Sequence, residues 1–164
     1  MDSAWYGIIG SLLGAIVGGT IAYFSSYNLW KKQIRMRQQN LLLAFKTEIL
    51  NVKKIIEKLQ LHQEGSQSSI MIKAFIIDTP CIYPQGGLYY VSNTEIFNFP
   101  EIFSQKLYEF YINLIEAEKY RSIFIETPNS PLNNMYISSI HKSMLVVNSL
   151  IPELLKFIDN ELNR

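Results

Sequence analysis

A chain of 164 residues and 19.0 kDa has the mass of about one domain, since single cores commonly run to roughly 100–200 residues, and this excludes a multidomain enzyme. Apolar residues make up 48% and charged residues 18% of the chain; the charged share is below the roughly 25% of an average soluble domain, so disorder of the whole chain is excluded too. The net charge of +1 conceals an uneven layout: residues 3–30 carry no charge, residues 31–58 hold eight bases against two acids, and residues 59–164 hold seven bases against eleven acids.

The first element in chain order is an apolar helix within residues 1–30. From Trp5 to Phe24 the side chains are almost all apolar or small, and about 20 such residues span a hydrocarbon core of roughly 30 Å as a helix. In lipid every backbone amide must be satisfied within its own segment, so a glycine-rich stretch that is a poor helix in water becomes helical there. Trp5 and Tyr6 open the segment and Tyr23, Tyr27 and Trp30 close it, at the depths where amphipathic rings prefer to lie. Lys31, Lys32, Arg35 and Arg37 follow at once. The positive-inside rule then predicts a single-pass protein of the cell inner membrane, with the N-terminus outside and the rest in the cytoplasm. A cleaved signal peptide needs basic residues ahead of the apolar run, and only Met1, Asp2, Ser3 and Ala4 stand there. A core helix of a soluble protein is the third reading, but the uncharged stretch exceeds the 10 to 14 or so residues such helices usually show.

Small residues in this segment are spaced every four positions. Gly7, Ser11, Ala15 and Gly19 form one stripe, and Gly10, Gly14, Gly18 and Ala22 a second. Each stripe stays on one slowly turning helix face, where a neighbouring backbone can approach closely. Two such faces let each helix touch two neighbours, so the expectation is a homo-oligomer closed as a ring. The plainer reading is that glycine is common in transmembrane helices.

Residues 31–63 read as a stalk helix that continues the apolar one, because no proline or glycine lies between Gly19 and Gly65. Ile34, Leu41, Phe45, Ile49, Val52, Ile56 and Leu59 mark its apolar stripe. That stripe is too wide for a strict coiled-coil seam, and packing within the chain is favoured. The basic residues of the stalk suit anionic headgroups, and no DNA or other nucleic acid need be invoked for them. Gly65 and the serines after it end the helix. The insert, 64–98, is irregular or β-like: residues 70–77 suit either a strand or a buried helical turn, and Cys81 to Val91, with paired glycines, a proline and three tyrosines, reads as an ordered loop. Ser92 and Asn93 suit a cap, and Pro100 suits the first turn of a helix over 99–126. After the break at Thr127-Pro128-Asn129-Ser130-Pro131, a last helix covers 132–163, with Ile137, Ile140, Met144, Val147, Leu150 and Leu154 inward. Pro152 is expected to kink or restart it, with Ser149 as the cap. The predicted fold class is mainly α: one transmembrane helix, 1–30, and a cytoplasmic domain, 31–164, built as an antiparallel helical bundle.

Catalytic chemistry is sparse. His62 and His141 have no partner at metal-ligand spacing and suit solvated or structural roles. No phosphate-clamping glycine loop ends in Lys-Ser or Lys-Thr. Cys81, the single cysteine, closes no intramolecular disulfide and asks for no oxidising compartment; it has no activating context. Glu116 and Glu118 point in different directions on a helix and form no acid–base couple. The expectation is a protein that is not an enzyme and uses no metal or cofactor. Recognition of an anion on a symmetry axis needs little from each subunit, because rotation multiplies it. The candidate ligand-binding residues are Lys73 as a cation, Gly86 and Gly87 as a source of backbone amides, Tyr89 and Tyr90 as stacking rings, and Arg121, His141 and Lys142 as further phosphate contacts. The plainer reading is that the tyrosines seal a core edge and the cations are solvated.

This order of features, a small-residue span beginning Gly7-Ile8-Ile9-Gly10-Ser11-Leu12-Leu13-Gly14, a basic border at Lys31 and Lys32, and a small aromatic-rich helical domain, resembles short single-pass membrane proteins of prokaryotic defence loci, in particular the membrane effector of type III CRISPR systems. The resemblance covers the layout of the chain. It implies a tetramer whose cytoplasmic domain binds cyclic tetra-adenylate and whose membrane segment is then perturbed. None of the family's ligand-binding residues matches a position here. The expectation is therefore an oligomeric membrane effector gated by a small anion, with cyclic oligoadenylate as the named ligand; a membrane-tethered scaffold that binds a protein partner through the Tyr89-Tyr90 region is the alternative.

Overall fold

A computed structural model of the chain describes residues 2–63, 76–79, 81–83, 87–88, 95–96 and 98–163. Three long helices hold most of them: α1, Asp2–Gln63; α2, Glu101–Glu126; and α3, Asn133–Leu162. No strand occurs among the described residues. The chain divides into two compact units, Met1–Leu41 and Leu42–Arg164.

In the first unit α1 is helical through every glycine of the apolar segment. Thr20 turns its hydroxyl back to the Ile16 carbonyl at 2.7 Å, which satisfies a polar group without an outside partner. Ile9, Leu12, Leu13, Ile16, Val17 and Ile21 are each more than half exposed. An 18-residue window here has a mean hydropathy of 1.4, and none of it is buried. A helix of this length and composition is able to cross a membrane. Trp5 and Tyr6 lie on α1, but their side chains are outside the described ones.

The second unit has its core where α1, α2 and α3 bring apolar stripes together. Phe45 and Ile49 of α1, Leu107, Phe110, Tyr111 and Leu114 of α2, and Val147 and Ile158 of α3 are fully buried. Two registers differ from expectation. On α1 the buried series is Leu42, Phe45, Ile49, Val52 and Ile56, with Leu41 only half-buried and Ile34 exposed. On α3 the buried side chain after Val147 is Ile151, with Leu150 half-buried, and the series runs on to Leu154 and Ile158.

α2 and α3 form an antiparallel hairpin. Phe103 stacks on Phe157 with ring centroids 4.1 Å apart, Lys106 pairs with Glu153, Ser143 donates to Glu116 at 3.5 Å, and Tyr120 meets Tyr136 at 6.2 Å. Partners on α3 descend in number as those on α2 ascend. The link between the helices is tied by local bonds: Thr127 donates its backbone N–H to Ile123 at 3.0 Å, and the Asn133 amide donates to the Pro128 carbonyl at 2.6 Å. Before α2, the buried Ser104 hydroxyl bonds the Ile96 carbonyl at 2.7 Å and the Phe99 carbonyl at 3.2 Å, which ties the preceding turn to the helix.

Pro152 does not restart α3, which is helical from Asn133 to Leu162. The ring is exposed, so the carbonyl that loses its amide partner four residues earlier is on the solvent side, where water replaces the bond. Ser149 is not a cap; its hydroxyl donates to the Val146 carbonyl at 2.7 Å. In the insert, residues 76–78 are helical. A turn explains this better than a strand, because the carbonyls of Ile76 and Thr79 converge on one guanidinium, whereas in a strand residues three apart face opposite ways. Residues 70–75, the serine-rich turn at 65–69 and the cap at Ser92 and Asn93 lie outside the described residues.

Candidate functional site

The apolar segment presents both small-residue stripes to open space. Gly7, Gly10, Ser11, Gly14, Ala15, Gly18, Gly19 and Ala22 are all exposed, and a Cβ placed on Gly7, Gly10, Gly14, Gly18 or Gly19 would meet nothing within 4 Å. At the end of the span Tyr23 stacks on Tyr27 with ring centroids 6.4 Å apart, and Tyr27 meets Trp30 at 6.2 Å. Steps of four and three keep these rings on one face. Lys31 lies over the same ridge, with its Nζ 4.7 Å from the centre of the Tyr27 ring. An ammonium against an aromatic face is attracted by the ring quadrupole. Its stem follows apolar surface while its charge stays toward water.

In the second unit the chemistry gathers where the insert meets the helices. Arg121, nine-tenths buried on α2, donates through Nε to the Ile76 carbonyl at 3.1 Å and through Nη2 to the Thr79 carbonyl. Its Nη1 donates to Glu118 Oε1 at 3.0 Å. Glu118 then accepts the Ile82 backbone N–H on Oε2 at 2.7 Å. One i,i+3 ion pair thus holds both carbonyls and an amide of the insert, and each partner satisfies the other's charge, as a buried pair requires.

A second anchor lies on α1. Glu48 accepts the Tyr111 hydroxyl at 2.5 Å and the Leu88 backbone N–H at 3.4 Å. Burial pushes the Glu48 carboxyl above its ordinary range, against the opposing effect of the Tyr111 and Leu88 bonds. The Tyr111 phenol is pushed up as well, first by burial and then by the neighbouring Glu48 charge. Tyr83 packs on Tyr111 with ring centroids 5.5 Å apart, and Gly87 sits against the Tyr83 ring. A Cβ at Gly87 would come 2.5 Å from Tyr83 Cζ and 2.6 Å from its hydroxyl oxygen, so only a hydrogen fits there. Cys81, beside Ile82 at the Glu118 anchor, is exposed, yet its thiol is raised above its usual value, by partial burial first and then by the Glu118 charge.

The structure separates the residues picked out from sequence. Arg121 and Gly87 belong to the docked insert, and both serve the fold: the guanidinium holds the insert's backbone, and the glycine gives room to a tyrosine. The Leu88 amide is likewise engaged, with Glu48. His141 and Lys142 are exposed on α3. Lys73, Gly86, Tyr89 and Tyr90 lie outside the described residues. Glu48, Tyr83 and Tyr111 are not among those candidates; in the sequence Glu48 reads as part of the stalk stripe and Tyr111 as an inward position of the helix over 99–126. Glu48 left a signal, as a carboxylate beside Phe45 and Ile49 in an otherwise apolar stripe, and so did the Glu118–Arg121 spacing on α2.

Two open grooves flank the first turns of α2. One, of about 650 Å³, is lined by Phe99, Ser104 and Tyr108; the other, of about 480 Å³, has Lys106, Glu153 and Lys156 above Phe103 and Phe157. Among the described residues no group of three or more His, Cys, Asp or Glu side chains is placed to hold a metal ion. Comparison with family models, with curated proteins and with solved structures finds no match to this chain, so the resemblance drawn from its sequence layout has no counterpart among them.

Proposed function

We propose that the chain is a membrane-anchored effector: α1 crosses the inner membrane once with its N-terminus outside, several copies associate through the small-residue faces, and the cytoplasmic unit senses a small anionic signal. Cyclic oligoadenylate is the named candidate ligand, and opening or disruption of the bilayer in antiviral defence is the output. In this reading residues 42–63 of α1 complete an antiparallel three-helix bundle with the α2–α3 hairpin, and a tetramer is the assembly that the family resemblance implies. The observation that carries the proposal is the uncovered apolar stretch from Ile9 to Ile21, bounded by the aromatic ridge of Tyr23, Tyr27 and Trp30 and by a cation held over it. Apolar surface of this extent is costly in water and stable in hydrocarbon.

The ligand arm is tested with full-length protein in liposomes loaded with a self-quenched dye. Addition of cyclic oligoadenylates of different ring size is expected to release dye with one of them and to bind with heat in titration calorimetry. Silence across the series removes the ligand arm. The assembly arm uses single cysteines at Gly10, Gly14 and Gly18 in a Cys81→Ser background. Disulfide-linked species above monomer in native membranes support it, and their absence ends it.

A second reading, a non-catalytic scaffold that holds a protein partner at the inner leaflet, is favoured by one observation. Arg121 and the Leu88 amide, two groups a phosphate would need, are engaged inside the fold. Calorimetric silence together with intact membrane insertion selects the scaffold.

A further inference from the structure

We infer that the end of the second unit at which α1 enters it is a lipid-contacting surface, seated on anionic phospholipid of the inner leaflet through Ile102, Lys106 and Lys156. A chain of rings marks this end. Phe45 of α1 meets Phe99 at 6.4 Å, Phe99 meets Phe103 at 5.5 Å, and Phe103 stacks on Phe157. Lys46 of α1 pairs with Asp159 at 2.6 Å. The start of α2 and the close of α3 therefore lie beside the first residues that α1 gives to the unit. The groove of about 480 Å³ opens here, with Phe103 and Phe157 as its floor and Ile102, Lys106, Lys156 and Asn160 around it.

Exposure, charge and connectivity all favour lipid as the occupant. Ile102 is 71% exposed, barer than the apolar span's own Tyr23 at 66% or Ile21 at 63%. A single exposed isoleucine is common, but one set beside two ammoniums over an aromatic floor has the make-up of a side chain that enters the headgroup layer. The lysine stems run along the apolar wall and bring their charges to the phosphates. Among the described residues the groove holds Lys106 and Lys156 against Glu153, which Lys106 pairs, so its surplus is positive. Glu101, on the same turn as Ile102, lines the other groove and accepts from Gln105 at 3.1 Å. Leu42 follows Lys31 by eleven positions of unbroken helix, about 16 Å of axial rise. The far end of the hairpin lies the length of α2 away, about 39 Å for its 26 residues. The inference rests on the reading of α1 as the membrane span.

The test uses the full-length protein in a Cys81→Ser background, carrying one nitroxide on Asn160→Cys, Met135→Cys or Ile16→Cys, in nanodiscs of phosphatidylcholine alone or mixed with phosphatidylglycerol. Power saturation in electron paramagnetic resonance compares access of lipid-soluble oxygen with that of a water-soluble nickel chelate. The label at position 160 is expected to gain oxygen access and lose nickel access when phosphatidylglycerol is present, while the label at 135 stays in water in both membranes. One lysine near an anionic surface shifts the docked-to-free ratio about fivefold, so Lys156→Glu lowers it by at least that factor, and Ile102→Ser lowers it as well. Access at position 160 that ignores the lipid headgroup, or that neither substitution changes, overturns the inference. Equal protection in both membranes does so too, because it assigns the groove to a second copy or another protein. The label at position 16 separates the two readings. Found in lipid while position 160 stays in water, it removes this surface alone; found in water, it removes the membrane span and the surface with it.

Discussion

Replacing Arg121 by Ala takes away a group that is nine-tenths buried and gives hydrogen bonds to three partners, the carbonyls of Ile76 and Thr79 and the carboxylate of Glu118. The Glu118 side chain is only 17% exposed, so the substitution leaves a desolvated anion that has lost its counter-charge and keeps only neutral neighbours here, the Ile82 amide and the Cys81 thiol. Breaking a buried ion pair from one side costs about 3–5 kcal/mol. For a folded unit of this size that lowers the unfolding midpoint by on the order of 10–20 °C. Thermal unfolding of the full-length protein in detergent micelles, followed by near-ultraviolet circular dichroism of the packed tyrosines, measures it. Arg121→Lys keeps the charge and loses the fork that reaches two carbonyls, so it falls between the natural protein and Arg121→Ala. In a double-mutant cycle Glu118→Ala should cost much less in the Arg121→Ala background than alone, because the charge it removes is already unpaired. A loss below about 1 kcal/mol for Arg121→Ala, a value typical of an exposed pair, would refute the assignment of Arg121 as the anchor of the insert.

Gly87→Ala drives a methyl into the Tyr83 ring and is expected to cost about 1–3 kcal/mol by overpacking; adding Tyr83→Ala should make the combined loss smaller than the sum, read in the same unfolding assay. Glu48 has a folded-state pKa raised above its unfolded value, so the native state holds the proton more tightly. Stability therefore falls as pH rises through the folded pKa, and the favourable contribution is complete only below the unfolded value. Urea midpoints measured from weakly acidic to neutral pH should show that trend in the natural protein and lose it in Glu48→Gln; an identical pH profile in the two counts against it. Cys81, though exposed, keeps its thiol protonated because burial and the Glu118 charge raise its pKa. Alkylation by iodoacetamide at neutral pH should be slower than that of free cysteine, and faster after Glu118→Gln.

The helices were legible because their signals are periodic and uninterrupted. The glycine- and proline-free run from Thr20 to Glu64 carries α1 out of the apolar segment without a break, and the Pro128-to-Pro131 link turns α2 back into α3. Boundaries and faces were less so. A stripe holding Leu41, Leu42 and Leu43 side by side gives no reason to choose between them until Phe45 and Ile49 fix the inward direction, and Leu42 is the one they carry in. Pro152 misled because its effect depends on whether the carbonyl it abandons faces solvent, which is a tertiary property. Arg121 looks like a phosphate ligand because an arginine on a helix is the same in sequence whether it awaits an anion or grips a loop. The carbonyls that occupy it lie more than forty residues away in the chain. Glu48 and Tyr111 are sixty-three residues apart, and only folding makes a pair of them.

The hold on the insert is made by side chains of the helices upon main-chain groups of the loop, and this separates attachment from display. Positions 82 and 88 must offer an N–H and so exclude proline, while the grip of Arg121 on residues 76 and 79 is on their carbonyls. Ile77 and Asp78 point outward and play no part in the fastening. Lineages of this protein are thus free to rewrite those outward letters, altering what the surface offers to its surroundings, while the clasp beneath stays closed.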